Sequence, residues 1–166
     1  MITITIQQAD FDPGHELQRL QQDQRAGALA SFLGLVRGES SGEAVATLHL
    51  QHYPGMTERA IEEIAAQAVA RWPLFAVRVI HRVGTLNPGA RIVLVAVTAA
   101  HRGDAFAACE FMMDYLKSRA PFWKREQTPD GPRWVEARES DSAAAARWGE
   151  GGYNASPNDS GQSRSA

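Results

Sequence analysis

The sequence is poor in cysteine and has no long apolar run. Cys109 is the single cysteine in 166 residues, so no disulfide can form within the chain. A lone thiol is typical of a reducing compartment. No stretch approaches the roughly 20 apolar residues that a membrane-spanning helix requires, and the first residues lack the basic start and apolar run of a secretory signal. These absences favour a cytoplasmic protein that does not bind a membrane.

Other missing features disfavour further classes of ligand. The formal net charge is only -2 with 22% charged residues, so no excess of one sign predicts binding to nucleic acid. The sequence has no glycine-rich phosphate loop of the nucleotide-binding type. His49 and His52 lie three positions apart in a predicted strand, so they point to opposite faces and form a poor metal pair. We expect no metal and no cofactor.

Apolar residues are plentiful over most of the chain but not at its end. With 44% hydrophobic residues, the length suffices for one domain with a buried core and not for two ordinary domains. After Trp148 the sequence turns to small and polar residues with almost nothing to bury. We therefore predict one domain over residues 1–148 and a disordered tail over residues 149–166.

Hydrophobic periodicity predicts both strands and helices. Three helices are indicated: residues 14–24, a helix after Pro54-Gly55 with Thr57 as its N-cap, and residues 104–119. The third helix carries an apolar stripe of Phe106, Cys109, Met113 and Leu116. Strands are predicted at residues 2–6, 28–36, 45–52, 77–83 and 92–98, with a hairpin of 122–126 and 133–137 around Thr128-Pro129-Asp130-Gly131.

The order of these elements decides the fold class. Strands and helices do not alternate regularly, and one hairpin is predicted. We therefore favour a single α+β domain, a mixed or antiparallel sheet with packed helices, over a doubly wound parallel sheet.

Positive charge is concentrated in the segment from Lys117 to Arg125, which holds four basic residues and no acidic one. Lys117 falls in the last turn of the predicted helix, and Lys124 follows the break at Pro121, where the chain can fold back. Clustered cations bind phosphate or another anion, and they depress the pKa of one lysine so that it can act as an acid, a base or a nucleophile. Lysines at a helix C-terminus also simply complement the helix dipole and remain solvated, and the residues alone leave both interpretations open.

Two further basic positions are candidate anion-binding sites. His101 and Arg102 follow the buried strand and precede a helix, whose N-terminus attracts anions. Arg37 ends an apolar strand and opens a polar loop that could close over a substrate. An ordinary connecting loop explains the first pair equally well and, taken alone, explains Arg37 better. Cys109 falls on the apolar helix stripe, so we interpret it as a core residue rather than a nucleophile.

Four segments together resemble the large subunit of molybdopterin synthase. They occur in that family's order and spacing from about residue 2 to residue 148, and the long segment around the two lysines is the most specific of them. The segments are His52-Tyr53-Pro54-Gly55-Met56-Thr57, Ala100-His101-Arg102, Met113-Asp114-Tyr115-Leu116-Lys117-Ser118-Arg119-Ala120-Pro121-Phe122-Trp123-Lys124-Arg125-Glu126, and Arg133-Trp134-Val135-Glu136-Ala137-Arg138.

The resemblance implies a fold of the α/β-hammerhead type and an enzymatic activity. The family converts cyclic pyranopterin monophosphate into molybdopterin by installing a dithiolene. Sulfur arrives as a thiocarboxylate on the C-terminal Gly-Gly of a small ubiquitin-like partner subunit. The large subunit forms a homodimer within a heterotetramer, and each active site receives the tail of one small subunit.

The resemblance also implies roles for individual residues. The family's functional lysines fall on Lys117, expected nearest the partner's terminal glycine, and Lys124, expected to bind substrate and transfer protons. Arg37 is expected to reach the active site of the other protomer. Leu35 and Val36 are expected to line the approach to Arg37. The remaining substrate-pocket positions of the family fall on His101, Arg102, Arg125 and Glu126, and Arg138 matches another basic position near the site.

Two other functions remain open at this point. The chain could be a non-catalytic scaffold that binds only the tail of a ubiquitin-like protein. It could also be a cyclic phosphodiesterase that uses the same cationic pocket on a nucleotide or a pterin.

Overall fold

The computed structural model of the protein describes residues 1–135 and 139–149. Within these ranges the elements in chain order are β1 Ile2–Gln7, α1 Pro13–Leu20, β2 Ala28–Leu35, β3 Glu39–Ser40, β4 Glu43–Ala44, β5 Thr47–His52, α2 Met56–Arg71, β6 Leu74–Arg82, β7 Gly84–Leu86, β8 Arg91–Ala99, α3 Arg102–Arg119, β9 Phe122–Thr128, β10 Gly131–Val135 and α4 Glu139–Ala146. The predicted strands are all present, with bounds shifted by up to three residues, although positions 136 and 137 of the last one lie outside the described residues.

The strands form two four-stranded sheets and one short hairpin. The first sheet has the order β1-β6-β8-β2, with β1 parallel to β6 and the other neighbours antiparallel. The second has the order β10-β9-β5-β7 and is antiparallel throughout, while β3 pairs with β4. The predicted α+β class and the β9–β10 hairpin are therefore confirmed.

The main core lies between the first sheet and helices α2 and α3. Strand β8 is buried from Val93 to Ala99, as its continuous apolar run predicts for a strand covered on both faces. Ile61 of α2 and Phe111 of α3 are fully buried on one side of the sheet. Leu20 of α1 packs against the other side. Helix α3 packs on β2 and β8 of this sheet, so the sheet positions the residues that α3 carries.

The start of α2 contradicts the prediction that Thr57 is its N-cap. Gly55 occupies that position with φ of 82°, a left-handed conformation that glycine adopts without steric cost. Its N–H donates to Glu58 Oε2 at 2.6 Å, which satisfies a donor at the helix end. Thr57 instead lies inside the first turn, where it is fully buried.

Two other helices differ from the sequence-based expectation. Helix α1 ends at Leu20 rather than at residue 24, because the Asp23 side chain accepts from the Arg25 N–H at 3.1 Å and forms a local turn that competes with the helix. Helix α4 was not predicted at all. Its sequence is polar or alanine throughout, so no apolar stripe marks it, and Ala145 is its buried residue.

The apolar stripe of α3 is only partly a core stripe. Cys109 and Leu116 are buried as expected, and burial raises the pKa of the Cys109 thiol to about 11, so the core interpretation of this cysteine holds. Phe106 is 66% exposed, because α3 turns this side chain toward an open cavity instead of the sheet.

Candidate functional site

Lys117 lines an open cavity of about 370 Å³ bounded by β2, α3 and α4. Its Nζ lies 3.9 Å from Asp141 Oδ1 of α4. Two other carboxylates in the cavity wall, Glu110 and Asp114, both pair with Arg147, at 2.6 and 2.7 Å. The aromatic and thioether side chains that form the apolar part of the wall are those of Phe32, Phe106 and Met113. A cation therefore lies beside a largely apolar cavity.

Lys124 lies on the inward face of β9. Side chains alternate along this strand, with Glu126 buried and Arg125 exposed, so Lys124 shares the face of Glu126. Its partners in the sheet register are Leu50 of β5 and Val135 of β10. The ammonium group is thus carried on a stem flanked by apolar neighbours, at the inner side of the second sheet.

Arg125 and Glu126, which the sequence places together, point to opposite faces of this sheet. The Arg125 guanidinium stacks over Trp134, 5.7 Å from the ring centroid, on the exposed face. Glu126 is buried, and its Oε2 accepts from Arg133 Nη2 at 2.9 Å, an interaction that raises the pKa of the Arg133 guanidinium. Within one chain a single pocket can therefore be lined by one of these two side chains but not by both.

The three residues at the end of β2 have different environments. Leu35 and Arg37 are exposed, whereas Val36 is buried in a small apolar cluster. The hairpin that follows Arg37 is fastened to β10, because Arg133 donates to Glu43 Oε2 at 3.1 Å and to the Ser40 carbonyl at 3.4 Å. Arg37 therefore projects from an anchored loop, and the side chain of Val36 belongs to the core.

His101 and Arg102 lie at the opposite end of α3 from Lys117. His101 is the N-cap residue, Arg102 begins the helix, and both are exposed. Fifteen residues separate Arg102 from Lys117, which at 1.5 Å of rise per residue is about 22 Å along the helix axis. The structure therefore does not bring these two predicted site residues together with Lys117 in one chain.

Thr57 anchors the chain at Pro121 to the start of α2, and the sequence did not indicate this residue as part of the site. Its hydroxyl accepts from the Tyr53 N–H at 3.0 Å and donates to the Pro121 carbonyl at 3.0 Å. Pro121 is the break between Lys117 and Lys124. The same threonine therefore fixes the point at which the chain folds back, and the only signal in the sequence was its place in the motif after Pro54-Gly55.

His81 is the second residue that the sequence analysis missed. It is buried at the end of β6 and stacks on Phe122 with ring centroids 3.7 Å apart. Burial lowers the pKa of the His81 ring to about 4, with smaller contributions in the same direction from Lys124 and His52. The period-2 pattern places His81 on the same strand face as Val77 and Val79, and a histidine on a core face was the signal that could have found it.

The predictions for Arg138 and for the C-terminal tail concern residues that the structure does not describe. Arg138 and the tail beyond Gly149 lie outside the described residues. In the part of the chain that the structure describes, no three His, Cys, Asp or Glu side chains are grouped to hold a metal ion. No helix among the same residues is long and apolar enough to cross a membrane.

The two candidate lysines have one further distinction. They are the only lysines in the sequence, and the other 15 of its 17 basic residues are arginines. Arginine stays protonated at any physiological pH, whereas a lysine can lose its proton in a suitable environment. The chain thus has lysine side chains only at the two positions to which the resemblance assigns the family's functional lysines.

Fold and site together define an α+β protein with one lysine, Lys117, beside an open, partly apolar cavity and a second lysine, Lys124, on the inward face of β9. The model of the family described as MoaE protein matches residues 6–119, and the chain belongs to this family.

Relatives and solved structures agree with this assignment. The molybdopterin synthase catalytic subunit of Ralstonia nicotianae is 57% identical over 150 residues, which cover 90% of this chain and 85% of the relative. The subunit of the same name from Escherichia coli is 57% identical over 138 residues, covering 83% and 92%. Among solved structures, the molybdopterin biosynthesis MoaE protein from Burkholderia ambifaria has a TM-score of 0.77 at 57% identity and covers 90% of this chain and 99% of that chain. Molybdopterin synthase from Staphylococcus aureus has a TM-score of 0.74 at 28% identity, with 79% and 95% covered.

Proposed function

We propose that this chain is the cytoplasmic catalytic subunit of a molybdopterin synthase. It transfers sulfur from the C-terminal thiocarboxylate of a small ubiquitin-like partner to cyclic pyranopterin monophosphate and so forms the dithiolene of molybdopterin. Lys117 and Lys124 carry the chemistry, with arginine and histidine side chains binding the substrate. The observation that carries this proposal is that the chain belongs to the MoaE family and is 57% identical to a relative named molybdopterin synthase catalytic subunit. The resemblance of the sequence assigns the family's functional lysines to Lys117 and Lys124, which are its only lysines.

The chemistry of the reaction suits these residues. The substrate carries a phosphate, which arginine and lysine bind through charge-assisted hydrogen bonds. The nucleophilic sulfur belongs to the partner, so a reactive cysteine is not required, and Cys109 is a buried thiol of raised pKa. Oxyanions that form at the partner's terminal carbonyl are stabilised by a nearby ammonium group. Opening of the cyclic phosphate needs proton transfer, which a lysine can provide.

The cavity beside Lys117 supports docking of the partner's tail there. Its apolar walls, with Phe32 and Phe106 exposed, offer contacts for an extended peptide, and Lys117 lies within reach of an anionic end group. A C-terminal Gly-Gly has no side chains, so its backbone can approach the lysine closely. Lys117, which pairs with Asp141 at 3.9 Å, would exchange this carboxylate for the thiocarboxylate of the partner.

The distance along α3 supports a composite active site in a homodimer. The resemblance places Arg102 and Lys117 in the same pocket, but about 22 Å of helix separates them within one chain. Two copies related by a twofold axis remove this conflict, because each pocket then takes Lys117 from one protomer and Arg102 from the other. Arg125 and Glu126 point to opposite faces of one sheet, and in such a dimer a pocket can take one of these side chains from each protomer.

The proposal is tested with the purified chain, cyclic pyranopterin monophosphate and the partner in two forms, one ending in a thiocarboxylate and one in an ordinary carboxylate. Product is oxidised to a fluorescent pterin and quantified by its fluorescence. We expect product only with the thiocarboxylated partner. Turnover with neither form, despite tight partner binding, would instead indicate a scaffold, and opening of the cyclic phosphate without any partner would indicate a phosphodiesterase.

A further inference from the structure

Arg133 of β10 is a basic side chain to which the sulfur-transfer account gives no role. Its guanidinium makes polar contacts with three residues of three different strands. Nη2 donates to Glu126 Oε2 of β9 at 2.9 Å and to the Ser40 carbonyl of β3 at 3.4 Å, and Nη1 donates to Glu43 Oε2 of β4 at 3.1 Å. One planar group therefore joins the second sheet to both strands of the hairpin that follows Arg37.

The pair of Arg133 and Glu126 is the more buried part of this arrangement. The two residues are directly opposite in the register of β9 and β10, so their side chains lie on the same sheet face. The Glu126 side chain is only 12% exposed, and its register partner on the other side, in β5, is the buried and apolar Leu48. A carboxylate buried in this way needs a charged partner, so Arg133 determines where the Glu126 oxygens point.

The contacts of Arg133 with the hairpin of residues 39–44 hold a small element in place. Strands β3 and β4 have two residues each and pair only with each other. A two-stranded hairpin of this size is marginal by itself, so its orientation depends on contacts with the rest of the domain. Arg133 supplies such contacts to Ser40 and Glu43, one on each strand.

We infer that Arg133 is a positioning residue: its guanidinium orients the Glu126 carboxylate and holds the hairpin of residues 39–44, and so keeps Glu126 and Arg37 in fixed relative positions. Arg37 lies two residues before this hairpin. Misplacement of binding groups by about 1 Å can cost a large factor in rate. The consequence for turnover rests on the proposed function, in which Glu126 and Arg37 bind the substrate, whereas the contacts of Arg133 do not.

Two variants separate the contacts of Arg133. Arg133→Lys keeps the positive charge beside the buried carboxylate but replaces the planar fork with a single ammonium, which cannot span all three acceptors. Glu43→Ala removes one hairpin contact and leaves the pair with Glu126 intact. Arg78→Lys is the matched control, because Arg78 forms a comparable, partly buried ion pair with Glu16 at 2.7 Å on the first sheet.

Hydrogen exchange of the backbone amides in residues 39–44, followed on the millisecond timescale, is the first readout and does not depend on turnover. We expect Arg133→Lys to speed this exchange about tenfold, because the hairpin then opens more often, and Glu43→Ala to speed it by a smaller factor. Arg78→Lys should leave it at the wild-type rate. Wild-type exchange in Arg133→Lys would overturn the inference. If Arg133→Lys does not fold, unchanged exchange in Glu43→Ala overturns it instead.

Turnover provides the second readout. We expect kcat/KM for cyclic pyranopterin monophosphate to fall about tenfold in Arg133→Lys, with KM for the thiocarboxylated partner unchanged. In a Glu126→Gln chain the same substitution should cost much less, because the carboxylate that Arg133 orients is already lost. An equal loss in both backgrounds would assign Arg133 a purely structural role and overturn the inference. A wild-type chain that forms no product, although its hairpin responds to Arg133→Lys, would refute the proposed function and leave the contacts of Arg133 established.

Discussion

The substitution Thr57→Val tests how the chain is anchored at Pro121, which lies between Lys117 and Lys124 in the sequence. Valine matches threonine in shape but removes both the hydrogen bond accepted from Tyr53 and the one donated to Pro121, each 3.0 Å long. The peptide groups left without this partner are partly buried. At about 1 to 1.5 kcal/mol each, we expect a loss of about 2–3 kcal/mol in the free energy of unfolding. For a domain of this size that corresponds to a fall in Tm of roughly 4–12 °C.

The functional effect of Thr57→Val should exceed its effect on stability. Because Pro121 separates Lys117 from Lys124, release of its carbonyl lets the second lysine move relative to the first. A displacement of about 1 Å can cost on the order of a hundredfold in rate. We expect kcat to fall at least tenfold at a temperature where the variant is fully folded by circular dichroism. Thr57→Ser is the matched control, since it keeps the hydroxyl and loses only a methyl group, worth about 1 kcal/mol. A Thr57→Val chain as stable and active as Thr57→Ser would refute the bridging role of the hydroxyl.

Three further expectations follow from the site, the chain end and the buried histidine. Lys117→Ala and Lys124→Ala should each reduce product formation at least a hundredfold with the fold retained. Arginine at a position that transfers a proton should not restore product formation, because arginine keeps its own proton. Wild-type turnover in either alanine variant would remove that lysine from the mechanism. Deletion of residues 149–166 should leave Tm and activity nearly unchanged, whereas Trp148→Ala, which empties a site packed on Trp72 and Phe111, should cost about 3–5 kcal/mol in urea unfolding. The pKa of His81 is lowered from 6.5 to about 4 in the folded chain, so as the pH falls the unfolded chain binds a proton at this residue first. The free energy of unfolding should therefore fall by up to about 3 kcal/mol between pH of about 6.5 and 4. A His81→Phe chain that loses stability just as steeply over this range would contradict the expectation.

The parts of the fold that sequence predicts well are those where burial follows a simple period. The run in β8 is apolar at every position because both faces of that strand are covered, and α2 places Ile61, Ile64 and Ala68 in the core at helical spacing. Helix α4 has no such period. Its contribution comes from one buried alanine and from Trp148 beyond its end, which sequence periodicity cannot connect to a helix.

The candidate site divides along similar lines. Lys117 and Lys124 could be proposed from the sequence because charge concentrated in one segment is visible locally, and their roles stay predictions. Thr57 and His81 were not found, because each is a single polar residue whose meaning depends on a distant partner. Thr57 contacts Pro121, 64 residues away, and His81 stacks on a ring from the same distant part of the chain.

Sequence periodicity also could not distinguish core from cavity on α3. Phe106 has the spacing of a core residue but lines an open cavity beside Lys117. Nor could spacing along the sequence show that Arg102 and Lys117 lie at opposite ends of one helix. That separation follows only once α3 is seen to be continuous from Arg102 to Arg119, and it is the reason to expect a second protomer in each pocket.

Subunit complementation tests the central claim, a lysine-based active site shared between two protomers. Arg102→Ala chains and Lys117→Ala chains, each inactive alone, are mixed under conditions that exchange subunits, and product is measured with thiocarboxylated partner. In a mixed dimer one pocket carries both defects and the other carries neither. Random exchange makes about half of the dimers mixed, so roughly a quarter of wild-type activity should return if the pockets act independently. No recovery, with exchange verified by a mass-tagged chain, would show that Arg102 does not serve a pocket of the other protomer and would contradict the composite site.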